Sequence, residues 1–478
     1  MKTILKISAL LMLLPLVATS CFKLEEEDLF DKAASERLDE SAADYAQFLT
    51  ERGGKWKMEY FATEEMAGYV YIMDFQPNGL VQISGMNDFI MAVKGIKAED
   101  NQTTTDEKKA SNRWGSAQSM WQILTDNGPV LSFNSYNPYF HLFSTPEDVS
   151  TSSSENSSIL GRGYEGDYEF TLLRKSANGD SLFLSGKKRE IDIIMTRLPD
   201  QPDGEDEAYN YAYLNQVRKN NNNLFKSTIP RVFVDFGNGD RYVMMNASSL
   251  VPSLYDEKAA DALTEQFTRN TIVCYDSFAF LKPLEFGDKS VQFFIQQPDG
   301  SLLSSDDGKT VISAGDLGKD CFVDTLQTWS IDPATFKGEM KTVYEAFAAK
   351  LPTVKDGKRN FKQNLKAIEF TYQKSPEKRL IMRVVISRTS ATTAPLVFYY
   401  EPSFPREHQI QFNYKGSEES TDMNAYWNAY PELQQLVKLI MDNPMQLSAA
   451  SMLAPTPMTV TPINNTANGF VATATYTR

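Results

Sequence analysis

The strongest constraint on folding is a two-residue period that begins near residue 55 and recurs along the chain. Trp56, Met58 and Tyr60 alternate with Lys55, Lys57 and Glu59, which puts three apolar side chains on one face of a strand. Residues 69–75 and 80–84 then flank Gln76-Pro-Asn-Gly79. Asn-Gly supplies the positive φ angles of a tight hairpin turn. A second hairpin is predicted at 232–236 and 241–245 around Gly237-Asn-Gly239, and Pro298-Asp-Gly300 marks another turn. Further strands are expected at 130–133, 139–143, 167–173, 181–185, 191–197, 271–295, 367–374, 379–387, 395–400, 408–414 and 470–477.

Helical spacing of apolar residues predicts helices at 33–49, 108–124 (carrying Trp114 and Trp121), 207–218, 256–270, 339–351 and 430–441. Together these elements describe a β-rich α+β chain of lipocalin-like or meander β domains, each preceded by a helix. Residues 199–206, rich in Pro, Gly and acids, form the best linker. The expected organisation is a signal at 1–20, a tether at 21–30, a first β-rich domain at 31–200 and a second β-rich region at 206–478. A candidate division of that second region lies near 316–336.

The first 28 residues carry the address. Lys2 and Lys6 precede an apolar run from Ile7 to Val17, and Ala18-Thr19-Ser20 precede Cys21, the layout of a secretory signal. The run is shorter than the ~20 apolar residues that span a bilayer. The cysteine after small residues resembles a bacterial lipoprotein signal, in which the Cys21 thiol is acylated and the chain is cut before it. Two or three acyl chains hold a protein on a membrane almost permanently. Acids at Glu25-Glu26-Glu27-Asp28 follow at once.

The formal charge of −14, made more acidic by loss of Lys2 and Lys6 with the signal, excludes nucleic acid as the expected partner, since that selects clustered Lys and Arg. Beyond Cys21 only Cys274 and Cys321 remain. A disulfide between them, allowed by export, and two buried free thiols stand as equal readings. Neither has C-x-x-C spacing.

Catalytic patterns dissolve on inspection. Gly161-Arg-Gly163-Tyr-Glu-Gly166 matches G-x-G-x-x-G, yet a serine-rich loop precedes it and a strand follows, the reverse of the dinucleotide-binding arrangement. Asp235-Phe-Gly237 stands alone as a hairpin tip, without the other kinase signatures. The two histidines, His141 and His408, are too far apart for H-E-x-x-H. No G-x-S-x-G elbow accompanies them. His141 is expected to be a hydrogen-bonded structural residue and His408, beside Arg406 and Glu407, to face solvent. No catalytic, cofactor-binding or metal-ligating residue is therefore assigned, and no cofactor is expected. Glycosidase chemistry needs only two carboxylates, and 62 acids neither exclude nor locate it. Trp56, Trp114, Trp121, Trp329 and Trp427 offer stacking surfaces for sugars, although scattered tryptophans usually serve cores.

Several phrases resemble a lipoprotein family of Bacteroidota described only as a domain of unknown function: Phe30-Asp-Lys-Ala-Ala-Ser-Glu-Arg-Leu38, Gly54-Lys-Trp-Lys-Met-Glu-Tyr60, Gly128-Pro-Val-Leu-Ser-Phe-Asn-Ser-Tyr-Asn137 with His141-Leu-Phe143, Gly166-Asp-Tyr-Glu-Phe170 and Leu184-Ser-Gly-Lys-Lys188. The resemblance covers residues 21 to 300. It implies a lipid-anchored outer-membrane protein, displayed at the cell surface, working beside a TonB-dependent transporter and a SusD-like protein. It supplies no catalytic residues. The expectation is a non-enzymatic protein binding a glycan, another nutrient or a partner. A surface glycan hydrolase and a structural subunit of a transporter complex remain the alternatives.

Overall fold

The computed structural model describes residues 32–86, 90, 115–145, 163–202, 204–225, 231–261, 264–356, 359–387, 395–420 and 423–476. The signal, Cys21, the acidic tether and Trp114 lie outside them. The chain is β-rich, with two closed eight-stranded barrels and a half-barrel between them.

Helix α1 (Ala34–Thr50) leads into the first barrel. The barrel is an up-and-down meander of β1 (Lys55–Tyr60), β2 (Tyr69–Phe75), β3 (Leu80–Gly85), β4 (Gly115–Thr125), β5 (Pro129–Phe133), β6 (Glu169–Lys175), β7 (Ser181–Gly186) and β8 (Asp192–Arg197). It closes where Trp56 to Glu59 pair antiparallel with Arg197 to Ile194. Arg197 also finishes α1, its guanidinium donating to the carbonyls of Phe48 and Glu51 at 3.0 and 2.7 Å. Those are carbonyls that a helix C-terminus leaves unpaired. Between helix and barrel, Gly54 takes φ +69°, and a Cβ there would lie 2.1 Å from the Phe75 carbonyl oxygen. Only glycine fits that turn.

The barrel interior is solid. Trp56, Met58 and Tyr60 point inward as their alternation requires and meet Tyr71, Phe133, Phe140, Phe143 and Phe170, all fully buried. Ring centroids stand 5.1 to 6.3 Å apart. The Tyr60 hydroxyl donates to the Asp167 carbonyl at 3.1 Å. Eight strands enclose a space that side chains can fill, and among the described residues these buried rings occupy it.

Helix α2 (Asp206–Asn223) leads to the half-barrel, formed by β9 (Arg231–Asp235), β10 (Arg241–Met245), β11 (Ser253–Asp256), β12 (Phe267–Thr268), β13 (Thr271–Val273), β14 (Ser277–Phe286), β15 (Lys289–Gln296), β16 (Leu302–Ser304) and β17 (Val311–Ser313). Its order is β12-β11-β10-β9-β17-β16-β15-β14-β13. Thr271 on edge strand β13 donates its N–H to Leu250 and accepts from Gly68 of the first barrel, at 3.0 and 2.9 Å. An exposed strand edge invites aggregation, and these bonds occupy part of it. Ile272, Cys274 and Ala279 join the first barrel's core, while Val232, Val234, Phe278, Phe294 and Leu302 form the half-barrel's own.

The third unit opens with β18 (Gln327–Ile331), followed by helix α3 (Gly338–Lys350) and a hairpin of β19 (Thr353–Asp356) and β20 (Arg359–Lys362). Strands β21 (Asn364–Gln373), β22 (Arg379–Ser387), β23 (Leu396–Ser403), β24 (Gln409–Ser417), β25 (Met445–Ala449), β26 (Met458–Pro462) and β27 (Phe470–Tyr476) complete the barrel, with β18 between β27 and β21. Helix α4 (Pro431–Met441) buries Leu433, Leu436, Val437 and Ile440 in the same core as Met340, Val343 and Phe347 of α3. Leu453, from the β25–β26 connection, enters the half-barrel core.

Four local expectations are corrected. Residues 115–124 form strand rather than helix, because the segment pairs with β3 on one side and β5 on the other. Residues 139–143 form a tight turn and short 3-10 helix (His141–Phe143), since the Asn137 side chain accepts the N–H groups of Tyr139 and Phe140. The asparagines 220–223 continue α2, where the Asn220 side chain donates to the carbonyls of Cys274 and Tyr275. The predicted helix at 256–270 is replaced by the end of β11, turns and β12, with 262–263 outside the described residues.

Candidate functional site

Strand register sets one cross-strand row on the outer face of the half-barrel. Arg241 stands opposite Asp235, Asp235 opposite Val311, Val311 opposite Leu303 and Leu303 opposite Ile295. The chain leaving β17 turns back over the charged end of this row, and residues Glu407, His408 and Met452 of the third unit meet it there. Between floor and roof lies a groove of about 700 Å³, within the range of small-molecule sites.

Arg241 organises the groove. Its guanidinium donates to both Asp320 oxygens at 2.9 Å and to Glu257 Oε1 at 2.8 Å, with a further bond from Nε to Glu257. It also lies 4.1 Å from the ring centroid of Phe233. Burial opposes the charge, yet the hydrogen bonds to Glu257 and Asp320 outweigh it and hold the group protonated above its ordinary range. Asp320 also accepts the Asp316 N–H at 2.9 Å. Asp316 in turn accepts from the N–H groups of Gly318, Lys319 and His408, each at 2.8 Å. His408 Nδ1 accepts the Leu317 N–H at 3.1 Å, so this histidine is half-buried in the junction rather than facing solvent.

Most lining groups are thus already engaged in structure. Asp235 accepts the Gly237 N–H at 2.7 Å, and Asp299 accepts both the N–H and the hydroxyl of Ser301. The Ser313 hydroxyl accepts from Gly315. Among the described residues no serine is hydrogen-bonded to His408, and no Phe, Tyr or Trp side chain lines the groove. Lys309 and Lys319 are different. Both are exposed, and neither ammonium has a hydrogen bond or ion pair among the described residues. The arrangement can therefore grip a polar solute through ammonium donors, carboxylate acceptors and the backbone at Gly237, Gly239 and Gly315.

The residues singled out in the sequence lie elsewhere. His141 is buried, its Nδ1 accepting the Asn137 N–H at 3.0 Å and its Nε2 3.3 Å from the Phe133 carbonyl oxygen. Cys274 and Cys321 are both buried free thiols in separate hydrophobic cores, and burial pushes the Cys274 thiol up to about 12. Gly161 of the glycine motif lies outside the described residues, Gly163 sits in a turn and Gly166 in the connection before β6, where a Cβ on Gly166 would meet the Tyr60 hydroxyl at 2.3 Å. Asp235-Phe-Gly237 is the hairpin tip at one end of the groove. Trp56 and Trp329 are core residues. No group of three or more His, Cys, Asp and Glu side chains that could hold a metal occurs among the described residues. No helix among them is long and apolar enough to cross a membrane.

A family model described as a domain of unknown function, DUF4302, matches residues 26–298. The match includes the first barrel and the floor residues Asp235, Arg241 and Glu257, but not the roof. No curated protein matches the chain. A solved structure, the DNA polymerase III subunit beta sliding clamp from Bartonella birtlesii, aligns at 9% identity over 92% of this chain and 98% of that one. Its TM-score of 0.10 marks no likeness of fold.

Proposed function

The chain belongs to the family described as a domain of unknown function, DUF4302, and from that premise we propose a lipid-anchored outer-membrane protein that binds a polar ligand in nutrient uptake without transforming it. The single observation carrying the reading is the groove, with two uncommitted lysine ammonium groups beside carboxylates fixed by hydrogen bonds. The packing of aromatic rings inside the first barrel supports reading the groove between the β units as the binding site. Anchoring is assigned to Cys21, on the sequence of its signal alone. Partnership with a TonB-dependent transporter and a SusD-like protein follows from the resemblance stated above. A hydrolase is less well supported, because both oxygens of Asp320 and both of Asp316 are occupied by hydrogen-bond donors, which leaves neither free to take a substrate proton.

Two experiments test the parts separately. Cys21→Ala, expressed with its own signal, is expected to shift the protein from the membrane fraction to the soluble exported fraction. Retention in the membrane would refute the anchor. For the groove, a thermal-shift screen of neutral and charged polar solutes is expected to give a hit whose Kd rises at least tenfold in Lys309→Glu/Lys319→Glu. Both positions are exposed, so the fold should persist. Binding of every hit unchanged in that variant would place the ligand elsewhere.

A further inference from the structure

The charges left over in the groove stand at its two ends. Val311 lies opposite Asp235, so the same register carries Lys309 to the level of the hairpin tip at Gly237. The ladder on the other side of β17 extends as far, because Ser304 donates its N–H to the Thr310 carbonyl at 2.8 Å. In the other direction Leu302 lies opposite Ile312, which carries Ser301 to the level of Ser313, with the turn at Pro298-Asp-Gly300 beyond it. Met452 closes that end, giving its N–H to the Asp299 carbonyl at 2.8 Å and accepting the Ala314 N–H at 2.6 Å. From the level of Lys309 to that of Ser313 the strand advances about 13 Å, at about 3.3 Å per residue.

Each end keeps one charge uncommitted. Asp299 uses Oδ1 for both donors of Ser301, at 2.9 and 2.7 Å, and its other oxygen has no hydrogen bond or ion pair among the described residues. The Lys309 ammonium is free in the same sense. Asp235, at the lysine end, has one oxygen on the Gly237 N–H and stands opposite Arg241. Val311 and Met452 add apolar lining, and Gly239 has nothing within 4 Å of the place a Cβ would take, which leaves its backbone open to a ligand.

This spacing of charges selects a ligand. A free amino acid carries its ammonium and carboxylate on one carbon and reaches one end only. A neutral sugar leaves both charges unanswered and finds no Phe, Tyr or Trp ring in the lining to stack on. A purely anionic solute answers Lys309 but brings like charge toward Asp299 and toward Glu407, which is 82% exposed, and such juxtaposition is unfavourable. An extended peptide spans up to ~3.3–3.6 Å per residue, so a chain of about four residues matches the groove, and free peptide termini are a recurrent target of recognition. We propose that the groove binds short peptides by their two free ends, with the ammonium at Asp299 and the carboxylate at Lys309.

This ligand class rests on the reading of the groove as the binding site. Isothermal titration of the full-length protein in mild detergent tests it, with tetra-alanine supplied free, N-acetylated, C-amidated and capped at both ends. The free peptide is expected to bind, either single cap to weaken it by about tenfold or more, and the double cap to remove detectable binding. In Asp299→Asn, which keeps an oxygen for Ser301, N-acetylation should then cost less than about threefold. In Lys309→Glu, amidation should cost nothing or improve binding. The proposal is overturned if no form of the peptide binds, if all four bind alike, or if both variants respond to the caps as the parent does. The cap series on the parent reads the preference without any substitution, so a variant that misfolds does not decide the result. If tetra-alanine fails while another polar solute loses affinity in Lys309→Glu/Lys319→Glu, peptide binding is refuted and the groove stands. If no solute responds to that pair, both readings fall.

Discussion

Arg241→Ala is expected to lower the free energy of unfolding by about 3–5 kcal/mol, the cost of removing one partner from a buried ion pair. Arg241 is 11% exposed and Asp320 only 8%, so water would not replace the guanidinium at little cost. Glu257, at 38% exposed, would recover some solvation. Asp320 belongs to the segment joining the half-barrel to the second barrel, and Asp316 and His408 hang from the same network. The loss should therefore reach the third unit. Trp329, stacked on Phe322 at 5.4 Å and donating to the Cys321 carbonyl, reports on that unit. Urea unfolding followed by tryptophan fluorescence should show an earlier midpoint for Arg241→Ala. Arg241→Lys should recover only part of it, because an ammonium cannot engage two carboxylates with a planar fork. A midpoint unchanged in Arg241→Ala would show that the network contributes nothing net.

The elements most legible in the sequence were those with both a period and a punctuation mark. The hairpins at Asn78-Gly79 and Gly237-Asn-Gly239 carried alternating apolar residues up to a turn that only a few residue types allow, and both formed. The segment 115–125 had a contrary signal. Trp114 and Trp121, seven residues apart, mimic a helix face, but Trp121 is buried because its indole N–H reaches the carbonyls of Gln76 and Leu80 in the neighbouring turn. Tertiary pairing overrode local spacing. The predicted helix at 256–270 failed for a related reason. Asp256 pairs with Tyr242, and the adjacent Glu257 is taken by Arg241.

The groove was illegible for a stronger reason. Arg241 and Asp320 are 79 positions apart, and Asp316 and His408 are 92. No local motif brings such residues together. Their meeting depends on the half-barrel's order, in which β9 lies beside β17 rather than a sequence neighbour on that side. One signal was available: Asp316 is followed at two and three residues by Gly318 and Lys319, the spacing of an acid that accepts backbone N–H groups at the start of a helical turn. That signal marks a turn. It does not identify what the turn covers.

Lys55→Met should be comparably damaging, at about 3–5 kcal/mol, and for a reason that begins in the barrel's own alternation. Trp56, Met58 and Tyr60 fill the interior, so Lys55 must point out of the barrel. Outward here does not mean toward water. Helix α2 covers that face, and the Lys55 side chain is only 2% exposed. Its ammonium bonds to Asp74 at 2.5 Å, to Asp206 at 2.9 Å and to the Asn210 side-chain oxygen at 3.0 Å. Asn210 also donates to the other Asp74 oxygen at 2.8 Å. One lysine thus joins the first barrel to the helix that opens the half-barrel. Methionine keeps the volume but leaves Asp74 with a single donor in a site 20% exposed. Replacing both partners, as Lys55→Met/Asp74→Leu, should recover at least half of the loss, because the stranded carboxylate is then gone. If the double variant is no more stable than Lys55→Met alone, the damage lies in packing rather than in charge. The apolar contacts of Leu214, Val217, Ile272, Cys274 and Ala279 with the first barrel would then be the main tie between the units.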